Sequence, residues 1–378
     1  MSRVVVLTLL AAALLATPAG AATPIDLGPG ATPDVAVDAA GTAHVVLQAG
    51  RQGLYAVEYC RIPRGATACA VRTRLPLAPG QGRPRILWRA DGVLIVAAAR
   101  NEDGAWTTYV LTSADGGATW SAPAATGTAS FDIDAVELSP DGQSLDTLHA
   151  GSTIGHELQR VPLAGPPETR VVRLADAEWP ARATLAVVDG TTAYVRDSTG
   201  RGPLLQRSFA GGDLYAPAAW PRRRFGPRAE YLPDAAGGPR GTWLATTGRR
   251  IPRRVRLRRL RAAGPGPARA IAGPAGVREL RIAQDGRGRL QVTWLAQDEE
   301  GSVCRGGRLC LVTTRGTWKR VRGQRRLVFS RERALARSRS RVTAPDSGLE
   351  TAAGSGGGAA AVYATNGGSV RFMRLART

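Results

Sequence analysis

The sequence is short of several residue types on which enzymes draw. Of its 378 residues three are histidine, four are cysteine and two are methionine, and Lys319 is the single lysine. His44, His149 and His156 have no ligand spacing with the cysteines, so no metal centre is expected, and no cofactor. A G-x-S-x-G nucleophile elbow, a P-loop and a dinucleotide fingerprint are all missing. Beyond the N-terminus no apolar run nears the ~20 residues that cross a bilayer, so no transmembrane anchor is expected. No later stretch carries a helical apolar period. Aromatic residues make up only 5% of the chain, and they do not interleave with basic ones in the pattern that stacks nucleic-acid bases.

The N-terminus has an order of its own. Met1 to Arg3 is basic, Val4 to Ala16 is apolar, and Thr17 to Ala22 is small and proline-containing. That is the layout of a secretory signal peptide cleaved after Ala21 or Ala22, with a buried N-terminal helix as the alternative. Residues 1–22 are therefore read as a signal peptide and 23–378 as one secreted domain, a monomer. Export makes disulfides expected. Spacing suggests the pairs Cys60–Cys69 and Cys304–Cys310, although four cysteines allow three connectivities.

Charge is strongly one-sided. Lys and Arg total 51 against 30 Asp and Glu, a formal charge of +21, or +20 once Arg3 is removed. Either codon bias has spread arginine over solvated strand faces, or the chain meets an anionic partner such as an acidic glycan, a cell-envelope polymer or a lipid head group. Nucleic acid is not expected as the partner of an exported chain. The densest run is Arg249–Arg261, in which Val255 and Leu257 alternate with arginine as in a strand with one wet, basic face; Arg222–Arg224 and Arg320–Arg326 add to it.

The 46 glycines and 25 prolines are spread along the chain, which suits many short strands joined by turns. They punctuate an internal repeat. PDVAVDAAGTAHVVLQ from Pro33 returns as PRILWRADGVLIVAAAR from Pro84, and further copies start at Asp134, Arg182, Ala229 and Leu280. A degenerate seventh is LETAAGSGGGAAAVYAT from Leu349. The turn glycines Gly41, Gly92, Gly142, Gly190, Gly237 and Gly288 are 51, 50, 48, 47 and 51 residues apart, and the last interval, to Gly357, is 69. The excess coincides with a basic stretch near 331–345, read as an insertion or long loop. A period near 50 residues matches a four-stranded propeller blade. The expected fold is all-β, a β-propeller of seven four-stranded blades, with six if the last copy forms none. An open array of sheets or two β-sandwiches is the alternative. Pro24–Pro33 is similar to Leu75–Pro84, the segment that leads from one repeat into the next, while the chain ends on a third strand. Residues 24–28 are therefore expected to supply the outer strand that the last blade lacks.

Ser113-Ala-Asp-Gly-Gly-Ala-Thr-Trp120 resembles the Asp-box, S-x-D-x-G-x-T-W, of the sialidase-like propellers with BNR repeats, and Ser113, Asp115, Gly117, Thr119 and Trp120 fill every defining position. The resemblance implies a hairpin turn between the third and fourth strands of a blade. There an Asp carboxylate takes backbone amides two residues on and Trp packs into the core. The box is a marker of fold and says little of chemistry. Active members of that family carry an arginine triad, an Asp acid/base, a Tyr–Glu nucleophile pair and an early Arg-Ile-Pro. Arg61-Ile62-Pro63 and Arg250-Ile251-Pro252 match the last only in sequence, not in place.

First strands line a propeller's channel. Aligning the repeats on their turns puts Asp34, Arg85, Ala135, Ala183, Glu230 and Arg281 at one level, with Arg182 and Arg228 nearby. This ring is the candidate ligand funnel, in which arginines would grip a carboxylate; the alternative is that its charges pair with one another. Tyr231 and Glu230 are adjacent on a strand and point to opposite faces, so they cannot be a nucleophile and its base. The sequence reads best as a non-catalytic exported propeller for an anionic glycan, an envelope polymer or a protein. A divergent sialidase-type exo-glycoside hydrolase is the alternative, and a structural envelope protein a third reading.

Overall fold

The computed structural model describes residues 23–50, 55–78, 82–100, 104–126, 132–139, 141–150, 156–164, 170–174, 183–188, 191–198, 202–208, 222–225, 230–248, 254–261, 265–271, 276–297, 309–338, 348–365 and 368–375. Among these residues there are 28 strands and no helix, hence none able to cross a membrane. The segment read as a signal peptide lies outside them.

The strands come in successive groups of four. The first is β1 (Ile25–Val37), β2 (Ala43–Ala49), β3 (Ala56–Ile62) and β4 (Val71–Arg74). The second is β5 (Arg85–Arg89), β6 (Gly92–Arg100), β7 (Trp106–Ser113) and β8 (Ala124–Ala125), and the third β9 (Asp132–Leu138), β10 (Ser144–Ala150), β11 (His156–Pro162) and β12 (Arg170–Leu174). The fourth is β13 (Ala183–Val188), β14 (Thr191–Ser198), β15 (Gly202–Ser208) and β16 (Arg222–Phe225), and the fifth β17 (Glu230–Ala236), β18 (Thr242–Gly248), β19 (Val255–Leu260) and β20 (Arg269–Ala270). The sixth is β21 (Gly276–Gln284), β22 (Leu290–Gln297), β23 (Leu309–Val321), β24 (Gln324–Phe329) and β25 (Arg333–Ser338). The last three strands are β26 (Glu350–Ala353), β27 (Ala359–Ala364) and β28 (Ser369–Leu375).

All pairings among the described strands are antiparallel, and each group is a meander, except that β25 returns to pair with β23. The last three strands join the first four in the order β26-β27-β28-β1-β2-β3-β4. β1 serves both sides of this sheet. Ile25–Pro29 pairs with β28, and Gly30–Val37 pairs with β2. The N-terminal residues thus occupy the place beside β28 that the sequence leaves open. Gly30 marks the changeover, where any Cβ would lie 2.5 Å from the Gln48 carbonyl oxygen. Each first strand lies against the next, β1 on β5 and so on through β9, β13, β17, β21 and β26, and β26 lies against β1. The fold is all-β and propeller-like. Its core is a chain of side-chain layers between neighbouring sheets. Trp294 is fully buried between the fifth and sixth groups, and Phe372 packs with Leu27, Val35 and Val45 where the two ends of the chain meet.

Three expectations change. The turn of the fifth repeat is set by Gly241, not Gly237. Gly41, Gly142, Gly241, Gly288 and Gly357 all have φ between 70° and 88°, and each donates its N–H to the carbonyl three residues back, Gly241 to Gly238 at 2.9 Å. Part of the basic stretch near 331–345 is a strand and not a loop. β25 pairs with Leu309–Thr313 of β23, while β24 pairs with Gly316–Val321 of the same long strand; residues 339–345 lie outside the described residues. In the Asp-box the carboxylate takes an amide four residues on. Asp115 Oδ1 accepts from Thr119 N–H (2.9 Å), Asp115 Oδ2 from the Thr119 hydroxyl (2.6 Å), and Ser113 Oγ donates to Asp115 Oδ1 (2.8 Å) while accepting from Gly117 N–H (2.7 Å). The turn joins β7 to β8, and Trp120 meets Tyr59 of the first group edge-on at 5.0 Å. Cys60 and Cys69 form a disulfide. Cys310 is also oxidised, and Cys304 lies outside the described residues.

Phe372 is fully buried against Leu27 and Val35, so Phe372→Ala is expected to cost about 3–5 kcal/mol in urea unfolding. A loss under about 1 kcal/mol would mean that the join between the chain's ends carries little of the stability.

Candidate functional site

Within its own group a first strand has a hydrogen-bonding neighbour on one side only. Its other edge faces inward with N–H and C=O groups unpaired, and each of these needs a partner. All seven first strands contribute to the wall of one central channel of about 1130 Å³. Charged side chains on these strands provide the partners. Asp34 Oδ2 accepts from Ile86 N–H on the next first strand (2.9 Å), and Asp234 Oδ2 does the same for Ile282 N–H (2.7 Å). Glu279 accepts from Leu349 N–H (2.7 Å). Arg85 donates in the same sense, to the carbonyls of Ile133 and Asp134 on β9.

Counting seven residues back from the turn glycines gives the ring Asp34, Arg85, Ala135, Ala183, Asp234, Arg281 and Glu350. Two members differ from the sequence reading. Glu230 opens β17 opposite Gly248 and is replaced in the ring by Asp234, four residues on, because Gly241 sets the turn. Glu350 joins by the same seven-residue offset from Gly357. It is the residue that sequence reasoning passed over, and it organises the ring. Arg85 Nη1 donates to Glu350 Oε1 (2.6 Å), and Arg281 donates through Nε to Oε2 (2.7 Å) and through Nη2 to Oε1 (3.2 Å). The three side chains are only 11%, 16% and 14% exposed for Arg85, Arg281 and Glu350. The ring arginines thus pair with a carboxylate of the chain itself, which is the alternative the sequence offered to a grip on a ligand. Arg182 and Arg228 lie outside the described residues.

Burial by itself would raise the Glu350 carboxyl; the charges of Arg281 and Arg85 outweigh it and hold the group below its usual range. Burial raises Asp34, and the Glu350 charge adds to this. Asp234 is pushed up to about 7, chiefly by burial and against the pull of Arg281. Glu137, on β9 two residues beyond the ring, is pushed up to about 8 by burial and then by the charges of Asp234 and Asp146. Among the described residues no three His, Cys, Asp or Glu side chains are grouped to hold a metal ion.

A second charged feature lies on the outside. Val255 and Leu257 of β19 are buried and Arg259 is exposed, but Arg258 is 8% exposed, so the strand is not basic on a single wet face. The β23–β24 hairpin carries the exposed cations Lys319, Arg320, Arg322, Arg325 and Arg326. Arg269 on β20 donates to the Leu327 carbonyl of β24 (2.7 Å), which brings the outer edges of the fifth and sixth groups together. Between residues 254 and 338 no described carboxylate is exposed. At the hairpin tip Arg322 has φ 51° and Gly323 φ 77°, a two-residue turn in which an L-residue other than Gly or Asn costs about 1 kcal/mol.

No protein-family model and no curated protein sequence matches the chain. Solved structures do. Hydrazine synthase from Kuenenia stuttgartiensis is 13% identical, with a TM-score of 0.55 over 92% of this chain and 96% of that one. AofleA from Arthrobotrys oligospora is 11% identical, with a TM-score of 0.51 over 80% and 88%. A GH43 β-xylosidase/α-arabinofuranosidase from a compost microbial metagenome is 11% identical, with a TM-score of 0.38 over 82% and 97%; an overlap that loose supports no argument. At these identities the class is an all-β, propeller-like fold, and the likeness does not extend to chemistry.

Replacing Glu350 with Gln leaves two buried guanidinium groups without their counter-charge, and a loss of about 3–5 kcal/mol is expected in urea unfolding. A cost near zero would mean that channel water solvates the ring. Glu137 gives a test with a sign. Its carboxyl titrates at about 8 folded against 4.5 unfolded, so between these values the folded chain holds a proton that the unfolded chain has lost, and stability falls as pH rises. Thermal melts across this range should decline for the native chain and decline less for Glu137→Gln; parallel declines would refute the assignment.

Proposed function

We propose that the chain is an exported, non-catalytic β-propeller of seven blades, closed by its own N-terminal strand, that holds an anionic envelope polymer or glycan on an outer basic flank. Supporting the blade count are the seven first strands around one channel and the pairing of Ile25–Pro29 with β28. Supporting kinship with the sialidase-like BNR propellers is the hydrogen-bonded Asp-box at Ser113–Trp120. The observation that carries the binding site is the flank itself, where the β23–β24 hairpin and Arg259, Arg261 and Arg269 are exposed with no exposed carboxylate described between residues 254 and 338. Such a surface attracts a polyanion through summed potential.

The funnel of Asp34, Arg85, Arg182, Arg228, Glu230 and Arg281 is a weaker candidate for an anion. Arg85 and Arg281 are already engaged by Glu350, and a ligand carboxylate would have to displace it. The same pairing weighs against the alternative, a sialidase-type hydrolase, because no free arginine clamp remains among the described ring residues.

The native chain is expected to be retained on immobilised polygalacturonate or poly(glycerol phosphate), and to elute as salt rises from about 0.05 to 0.5 M, where screening shortens to a few ångströms. The triple variant Arg322→Ser, Arg325→Ser, Arg326→Ser should elute at clearly lower salt; equal elution would sink the flank as the site. Assayed on a fluorogenic sialoside and a panel of aryl glycosides, the protein should give no turnover. Hydrolysis that Arg85→Ala abolishes would establish the enzyme instead.

A further inference from the structure

We propose, on the footing that the basic flank holds a polyanion, that its recognition subsite is the cleft between the fifth and sixth groups at the end where their glycine turns lie. Trp243 and Trp318 wall this cleft, and it takes a carboxylated pyranose of an acidic glycan.

The two turns are fastened together. Gln284 Oε1 accepts from Arg240 N–H, and Gln284 Nε2 donates to the Gly241 carbonyl, both at 3.2 Å. Arg240 then runs out over Gly288, where a Cβ would strike its Cγ. The Gly288 carbonyl accepts from Trp318 Nε1 (2.9 Å). Trp318 meets Trp243 of β18 with ring centres 6.3 Å apart and planes 56° from parallel. Both indoles pack against the core layer between the two groups and are half-buried. At that angle neither ring covers the other, so the pair forms an apolar wall with Trp318 pinned by its Nε1.

Cations surround the wall. Arg259 is the cross-strand partner of Trp243, and its guanidinium lies over Gly241, with Nη2 2.9 Å from where a Cβ would stand. Arg320 follows Trp318 by two residues and so shares its face of β23; it lies directly opposite Arg325 of β24. Like charges in that position repel, and a shared anion removes the repulsion. Arg240, Arg259, Arg320 and Arg325 are all exposed, and their guanidinium groups have no hydrogen bond or ion pair with any described residue. Between residues 234 and 338 no described carboxylate is exposed. These arginines differ in this from Arg85 and Arg281, which Glu350 engages.

A guanidinium fork takes a carboxylate and a phosphate alike, so the cations alone do not choose the ligand. The indoles do. A pyranose has a C–H face that packs on an aromatic wall, whereas a glycerol phosphate chain has no ring to lay there. Binding sites combine such walls with a few convergent polar groups, and Trp with Arg is the pairing that dominates binding energy at interfaces. A sugar that brings both a C–H face and a negative charge is of the uronic acid kind.

The test is calorimetric titration of the full chain at about 0.05 M salt with tetragalacturonate, tetramannuronate, a glycerol phosphate tetramer and uncharged mannotetraose. At least one uronate should bind with a Kd tighter than about 1 mM, and about tenfold or more tighter than the glycerol phosphate tetramer, while mannotetraose gives no heat. Arg240→Ser together with Arg259→Ser removes two exposed cations that no described group needs, and should weaken the uronate about tenfold or more. Trp318→Leu should bring the uronate to within about threefold of the glycerol phosphate tetramer, and Trp318→Phe should keep the preference. Thermal melts report whether each variant folds, and the preference of the native chain decides the matter if Trp318→Leu does not. Equal binding of uronate and glycerol phosphate, binding of mannotetraose as tight as either, or a uronate affinity untouched by the double arginine variant would overturn the cleft and leave the flank standing on its charge. No retention on either immobilised polyanion would remove flank and cleft together.

Discussion

The inward edges of the first strands impose a demand that the rest of the chain answers. Each of these strands is hydrogen-bonded on one side and would leave a row of amides and carbonyls bare on the other. Asp34 and Asp234 cap an amide of the next strand, Glu279 does so for the last group, and Arg85 caps two carbonyls of β9. These contacts tie four of the sheets to their successors at the axis. They also desolvate charge, and Glu350 offsets that cost by neutralising the two arginines across the channel. The ionisable groups of the ring are engaged by the backbone and by one another.

Much of this arrangement was legible in the sequence, because the repeat carries a fixed offset between turn and axis. Asp34, Arg85 and Arg281 follow from Gly41, Gly92 and Gly288 by counting back seven. The likeness of Pro24–Pro33 to Leu75–Pro84 located the strand beside β28. The count failed in the fifth repeat, where AAGGPRG offers three glycines and only the bond from Gly241 N–H to the Gly238 carbonyl decides among them. Glu350 was within reach of the same count from Gly357, but its repeat is almost all alanine and glycine and looked too degenerate to extend it. The meeting of Arg85 with Glu350, 265 residues apart, has no local signal at all. Glu137 left a faint one, a single acid where every other copy has Ala or Leu.

Charge is segregated between the two surfaces. The channel gathers carboxylates, several of them raised toward neutrality by burial, while the edges of the fifth and sixth groups gather exposed arginine. A chain whose composition averages to a strong positive charge is thus chemically two-sided. Overall charge describes the flank and misdescribes the axis.

The double pairing of β1 has a consequence for assembly. Asp26 accepts from the Ser369 hydroxyl across 343 residues of chain, and joining such distant points in an unfolded chain would cost about 5 kcal/mol of configurational entropy before any bond is formed. Once the intervening sheets are stacked, the same two points are already neighbours and the cost nearly vanishes. The join is therefore cheapest as the final event of folding. By the same reasoning it is the place where a nearly complete molecule exposes two sticky strand edges at once, β28 and the first half of β1, to any second copy nearby.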